Sequence, residues 1–281
     1  MMQIIHPNLD DTAELKALWK NIFQDTDFYI DLFFQKKYVP ENTFLVKIDG
    51  CIASMLYFFP ADFHFCECSV PAAYICGVAT RPEYRGRGYS REILFKAIDA
   101  IRQRGYKAAF LIPASESLFA FYQKNGGFQP YFYLKKREME RNNTPTEKQK
   151  EFPFSAKKFS EFYAKLNQDN QFYCEKKEKD FEELFAFYQP EGCQFHLFEE
   201  GYLIFYIEKQ ILYVMESFFE SEDTLEKAIQ FYMAENNCKK AFLTVPACGE
   251  KATPYASLLI LDNHFKKIFN TEKNYVNLML N

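Results

Sequence analysis

The sequence has a single tryptophan, no marked excess of either charge, no cysteine pairs at metal-binding spacing and no long apolar run. Each scarcity excludes something. With 34 Lys and Arg against 38 Asp and Glu, the formal net charge is −4, so no general attraction to nucleic acid is expected and any basic cluster must be local to matter. The eight cysteines, at 51, 66, 68, 76, 174, 193, 238 and 248, form neither a compact disulfide framework nor paired metal-type spacings, which points to a reducing compartment and no metal. Cys66-x-Cys68 lacks His or Cys partners nearby and reads as packing. No stretch of about 18 apolar residues and no charged-then-apolar N-terminal segment is seen, so the expectation is a soluble, cytoplasmic protein that does not engage a membrane.

What is abundant is apolar and aromatic: 48% hydrophobic residues with 32 Phe and 19 Tyr, enough for two modest domains or one large one in 281 residues. The pattern predicts a short strand over 2–6, a helix opened by Asp10-Asp11-Thr12 and carrying Leu15, Leu18, Trp19 and Ile22, and a second helix over 28–38. Strands over 43–47 and 52–59 flank Asp49-Gly50, a hairpin signal, and a further strand is expected over 63–70. After a strand over 74–79 come a helix over 90–104, a buried parallel strand over 108–112, a helix over 115–124 and an aromatic strand over 128–136. The polar stretch 138–151 reads as a linker. Beyond it, 181–188 is helical, strands are expected over 193–198, 202–207 and 211–218, and Asp223 with Glu226 reads as a capping pair for the next helix.

The second half echoes the first. Lys96-Ala97-Ile98, then Ala109-Phe110-Leu111 and Pro113-Ala114, return as Lys227-Ala228-Ile229, Ala241-Phe242-Leu243 and Pro246-Ala247. The division implied is two related mixed-sheet α/β domains in tandem, 1–140 and 152–281, the second degenerate.

One segment is absent from the second copy. Arg85-Gly86-Arg87-Gly88-Tyr89-Ser90 follows an apolar strand and opens directly into an amphipathic helix, with Arg81 and Arg91 adding local positive charge. Glycines let backbone approach a ligand closely, and successive N–H groups at a helix N-terminus converge on anionic oxygens.

In this context the loop resembles the acyl-CoA pyrophosphate loop of the GNAT superfamily of N-acyltransferases, with Arg85, Gly88 and Ser90 at the pattern's places and Ser90 replacing the usual Gly or Ala. Phe121-Tyr122-Gln123-Lys124-Asn125-Gly126-Gly127-Phe128 is similar to the family's downstream ending, with Ser115 where an Asn is usual and one extra Gly. The tandem arrangement resembles the enhanced-intracellular-survival-type acetyltransferases. The resemblance implies acetyl-CoA as acyl donor, held by Arg85, Gly86, Arg87, Gly88, Tyr89 and Ser90 with Ser115 nearby. It also implies a splay between strands 75–79 and 108–112 that frees the Val78 N–H for the thioester carbonyl, and Tyr122 as proton donor to the leaving thiolate. No acid stands on the strand before the loop, so Glu116 and His64 are the candidate bases.

The expected activity is N-acetylation of an unidentified primary amine by direct attack in a ternary complex. A non-catalytic acyl-CoA sensor and a tRNA-dependent aminoacyl transferase are the alternatives. Neither the acceptor nor the oligomeric state is legible.

Overall fold

The computed structural model describes residues 2–65, 68–142, 147–246, 252–262 and 274–276. In chain order the elements are β1 (Met2–Ile5), α1 (Thr12–Phe23), α2 (Asp27–Lys36), β2 (Thr43–Ile48), β3 (Cys51–Phe65), β4 (Cys68–Thr80), α3 (Tyr89–Gln103), β5 (Ala108–Leu111), α4 (Glu116–Gly126) and β6 (Gln129–Glu140). Then follow β7 (Glu151–Phe152), α5 (Ala156–Leu166), β8 (Phe172–Cys174), α6 (Glu178–Tyr188), β9 (Gln194–Phe198), β10 (Gly201–Glu208), β11 (Ile211–Phe219), α7 (Glu222–Glu235), β12 (Lys240–Pro246), β13 (Thr253–Ile260) and β14 (Asn274–Tyr275). No helix among the described residues is long and apolar enough to cross a membrane.

The chain forms two compact units, Met1–Phe132 with Pro254–Asn270, and Tyr133–Thr253 with Thr271–Asn281. These differ from two contiguous halves because each unit takes residues from the far side of the sequence. In the first unit β13 pairs antiparallel with β5, Ser257 to Ile260 against Leu111 to Ala108. In the second, β6 pairs antiparallel with β12 from Leu134 to Glu140. The strand after α4 therefore falls in the second unit from Tyr133 onward, and the strand after β12 in the first from Pro254 onward.

In the first unit the order β1-β2-β3-β4-β5-β13 is antiparallel except for β4 with β5. Asp49 and Gly50, both at positive φ (49° and 89°), make the turn expected between β2 and β3. The separate strand expected over 63–70 is instead part of one long hairpin: Phe63 to Phe65 end β3, and β4 begins at Cys68. Pro60 and Pro71 look like strand breakers in sequence. Yet Pro60 lies beyond Tyr57, the last residue paired with β2, so its missing N–H costs that ladder nothing. Helix α3 presents Ile93, Leu94, Ala97, Ile98 and Ile101 to the sheet and is stopped by Gly105 at φ +82°.

In the second unit the order is β6-β12-β11-β10-β9-β7, antiparallel along that path except for β11 with β12, and off it β8 and β14 pair in parallel. The linker expected over 138–151 is shorter at both ends, since 138–140 belong to β6 and Glu151 to β7. Its charges mislead because they satisfy partners on neighbouring elements: Glu138 pairs with Lys240, and Glu151 with His196. The capping pair expected from Asp223 and Glu226 is not formed. Ser221 is the N-cap of α7, without a side-chain bond, and Glu226 is engaged by Arg137.

Candidate active site

Strand β4 sets the geometry. Its parallel ladder with β5 covers Ala72 to Tyr74 against Ala108 to Phe110 and ends there among the described residues, whereas its pairing with β3 continues to Thr80. Between those limits the β3–β4 register shifts: Tyr57 opposes Cys76 and Met55 opposes Ala79, leaving Gly77 and Val78 opposite Leu56 alone. This is a β-bulge, and Gly77 takes the positive φ (+57°) that such a bulge asks of its first residue. Burial along β4 slackens here and only here between Ala72 and Thr80, with Cys76, Gly77 and Val78 partly rather than fully buried. Val78 thus stands where the two parallel strands no longer pair.

Past Thr80 the chain makes a short 3-10 turn at Pro82–Tyr84 and enters the Arg85–Ser90 loop. Gly86 (φ +76°) and Gly88 (φ +83°) hold left-handed conformations, and Gly88 is the N-cap of α3 with no side-chain cap on the first turn. Its carbonyl accepts the N–H groups of Arg91 and Glu92 at 3.0 and 3.1 Å. The N–H groups before them, at the positive end of the helix dipole, are available to an anion. The space above is open: a Cβ on Gly86 would meet nothing within 4 Å, and one on Gly88 only an Arg91 nitrogen at 3.7 Å. Neither glycine is crowded on the side an anion would approach.

The four arginines divide. Arg81 leaves the set, its guanidinium spanning the Ile52 carbonyl (2.6 Å) and Glu14 (2.8 Å) to tie α1 to the sheet. Arg91 makes an exposed pair with its neighbour Glu92. Arg85 and Arg87 stay with the loop. Arg85 Nε donates to the Thr80 carbonyl at 3.2 Å, and the Arg87 guanidinium lies 5.5 Å from the Tyr84 ring centre. Tyr89 packs against the first core, its ring 6.3 Å from that of Tyr84. Ser90 is half-buried with Oγ 2.8 Å from Thr80 Oγ1, its side chain turned toward β4.

Tyr122 comes from α4, which Gly127 ends at φ +75°. It is buried in the first core with its ring edge-on to Phe128, and burial raises its pKa to about 12, with Cys76 adding to the rise. Burial likewise raises the Cys76 thiol, while Lys37 opposes it. The phenol and the gap in β4 belong to the same core, against which Val78 packs. Cys76 went unnoticed in the sequence because one cysteine inside an apolar strand carries no signal.

Of the two candidate bases, His64 lies far from this point. Glu116 is exposed in the first turn of α4. His64 pairs with Ser69, nine residues along β4 from Val78, or about 30 Å at the rise of a strand. Ser115 is an exposed N-cap whose hydroxyl meets Ser117 Oγ at 3.1 Å rather than the helix backbone. Cys66 lies outside the described residues.

The corresponding place in the second unit is filled. There β11 pairs in parallel with β12 up to Val214, and its register with β10 shifts immediately after, with Met215 as the extra residue. Next to it Glu216 is buried and accepts from Lys176 Nζ (2.6 Å), Tyr202 (3.0 Å) and Tyr275 (3.1 Å). Lys176 also lies 4.4 Å from the Tyr163 ring centre. No arginine–glycine loop follows, since β11 and α7 are separated only by Glu220 and Ser221.

Residues 3–130 match the acetyltransferase (GNAT) domain family. No curated protein matches the chain by sequence. Among solved structures it is similar to a conserved protein of unknown function from Enterococcus faecalis described as a probable N-acyltransferase (17% identity, TM-score 0.73, 93% of this chain and 73% of that one). It is also similar to a GCN5-related N-acetyltransferase from Anabaena variabilis (16%, 0.72, 93% and 73%) and to Eis1 from Mycobacterium abscessus (10%, 0.63, 93% and 74%). The fold is that of the GNAT N-acyltransferases, and residues 3–130, a little under half of the chain, match a family whose chemistry is acyl transfer.

Proposed function

We propose that this protein is an acetyl-CoA-dependent N-acetyltransferase that acylates a primary amine by direct attack, working in its first unit alone. The observation that carries the reading is the juxtaposition of an open, uncapped helix N-terminus after Arg85–Gly88 with a gap in β4 on the same core as a buried, neutral tyrosine. When bound, acetyl-CoA supplies an activated acyl group as a thioester.

Backbone N–H groups from Gly86 to Ser90 would hold its pyrophosphate, with Arg85 and Arg87 adding charge from the loop. Val78, past the end of the β4–β5 ladder, offers its N–H to the thioester carbonyl, where negative charge grows during attack. Tyr122 keeps its proton at neutral pH and can deliver it to the departing sulfur. The second unit has the strand pair without the loop, and a buried Lys–Glu pair sits beside the register shift in its β11. That supports reading it as a degenerate copy with a scaffolding role.

One observation favours a second reading, an acyl-CoA sensor without turnover: Glu116 is exposed, and the bulge carries no acid. Free thiol release from acetyl-CoA across a panel of primary amines separates the two. Turnover with at least one amine is expected, and tight acetyl-CoA binding with no turnover on any would favour the sensor.

A further inference from the structure

The loop's two ends converge on one residue that no motif marks. Thr80 is the last residue of β4 and is nearly buried. Its carbonyl accepts Arg85 Nε at 3.2 Å, and its hydroxyl lies 2.8 Å from Ser90 Oγ and 2.9 Å from Ser54 Oγ. Arg85 and Ser90 are the first and last residues of the anion loop.

Counting protons fixes the direction of the chain. Ser54 Oγ is 2.7 Å from the Ala79 carbonyl, which can only accept, so the Ser54 proton is committed there. Thr80 must then donate to Ser54, and Ser90 to Thr80. The Ser90 hydroxyl is consequently spent inward and presents only lone pairs on its outer side, so an anion in the loop would meet backbone N–H groups and not this hydroxyl. The inner end stops at Ala79, adjacent to Val78. One line of hydroxyls joins the helix end that would hold phosphate to the strand that would hold the carbonyl.

We propose that Thr80 is a positioning residue of the acyl-CoA site, holding Arg85 and Ser90 to the end of β4 and setting the loop's distance from Val78. A β-branched side chain suits the task, because its χ1 is restricted before any partner is bound. Ser90 is then a functional departure from the family's usual Gly or Ala: its hydroxyl is the helix side of the tether. The proposal rests on the acyl-CoA reading above.

The test is calorimetric titration of the full chain with CoA, so that the readout does not depend on turnover. Thr80→Val keeps the shape and removes the hydroxyl, and should bind CoA about tenfold more weakly, with Thr80→Ser restoring affinity to within about twofold. In a double-mutant cycle the Thr80→Val loss should shrink when Ser90 is already Ala, because the tether is cut once only; a role in packing alone would give additive losses. If Thr80→Val does not fold, Ser90→Ala severs the same tie from the other end and should by itself weaken CoA binding severalfold. Unchanged CoA affinity in Thr80→Val, or in Ser90→Ala where Thr80→Val does not fold, overturns the role of Thr80 while leaving the loop assignment intact. Wild-type protein that does not bind CoA overturns both.

Discussion

A Cβ on Gly77 would stand 2.5 Å from Cδ2 of Tyr57 and 3.1 Å from Cζ3 of Trp19. The missing side chain is a packing requirement as well as a conformational one. Both rings are buried, and Tyr57 is held by Trp19, Phe33 and Tyr38 around it, so neither can retreat. Gly77→Ala should therefore combine left-handed strain with overpacking and cost roughly 2–5 kcal/mol. Urea denaturation measures it, and a change below about 0.5 kcal/mol would show that the bulge adapts.

Burial holds Tyr122 up to about 12, against an ordinary phenol at 10. Its proton is fully in place from pH 7 to 9, so the rate profile of acetyl transfer should show no descending limb from this group in that range. The linkage sign follows: below pH 10 folded and unfolded chains both keep the proton, while between 10 and about 12 the unfolded phenol ionises first and stability falls. Tyr122→Phe should lower kcat by about a hundredfold or more with acetyl-CoA affinity kept. A variant at full rate would remove Tyr122 from the chemistry.

Lys176 and Glu216 are both almost fully withdrawn from solvent, and Tyr202 and Tyr275 complete the carboxylate's partners. Removing one charge strands the other, so Lys176→Met should destabilise the second unit by about 3–5 kcal/mol. Lys176→Met combined with Glu216→Met removes the stranded charge and should cost less than the sum of the two single changes. Additive losses in chemical denaturation would mean that the pair does not interact energetically.

The strand exchange predicts what truncation does. A fragment of residues 1–140 keeps the anion loop and Tyr122 but lacks β13, leaving β5 without its antiparallel partner. It also carries β6 residues whose ladder is with β12. Such a fragment should aggregate or stay unfolded, as unpaired strand edges do. A monomeric, cooperatively melting fragment would contradict the pairing.

Local features were legible and long-range ones were not. The Asp49-Gly50 turn, the α3 stripe and the Arg85–Ser90 loop are written in short spacings that backbone sterics alone interpret. Helix α5 escaped notice although Ala156, Phe159, Phe162 and Tyr163 are its buried face, because Phe152-Pro153-Phe154 and then Lys157-Lys158 interrupt the pattern at its start. The exchange of β6 and β13 could not be read at all, since either strand would satisfy either sheet by its own pattern. At the site, Arg81 and Arg91 resembled the loop arginines in sequence, and only their partners Glu14 and Glu92 separate them. Thr80 and Cys76 carry no motif, and their importance comes from what the bulge and the loop place beside them.

The central claim is that the Arg85–Ser90 loop of the first unit binds the pyrophosphate of acyl-CoA. Isothermal titration with acetyl-CoA, on wild type and on Gly88→Asp, tests it most directly, with Gly88→Asn as the control for backbone strain at φ +83°. The account predicts one site per chain in wild type, weakened binding in the Asn variant and no detectable binding in the folded Asp variant. Two equivalent sites per chain, or binding in Gly88→Asp as tight as in wild type, would contradict it.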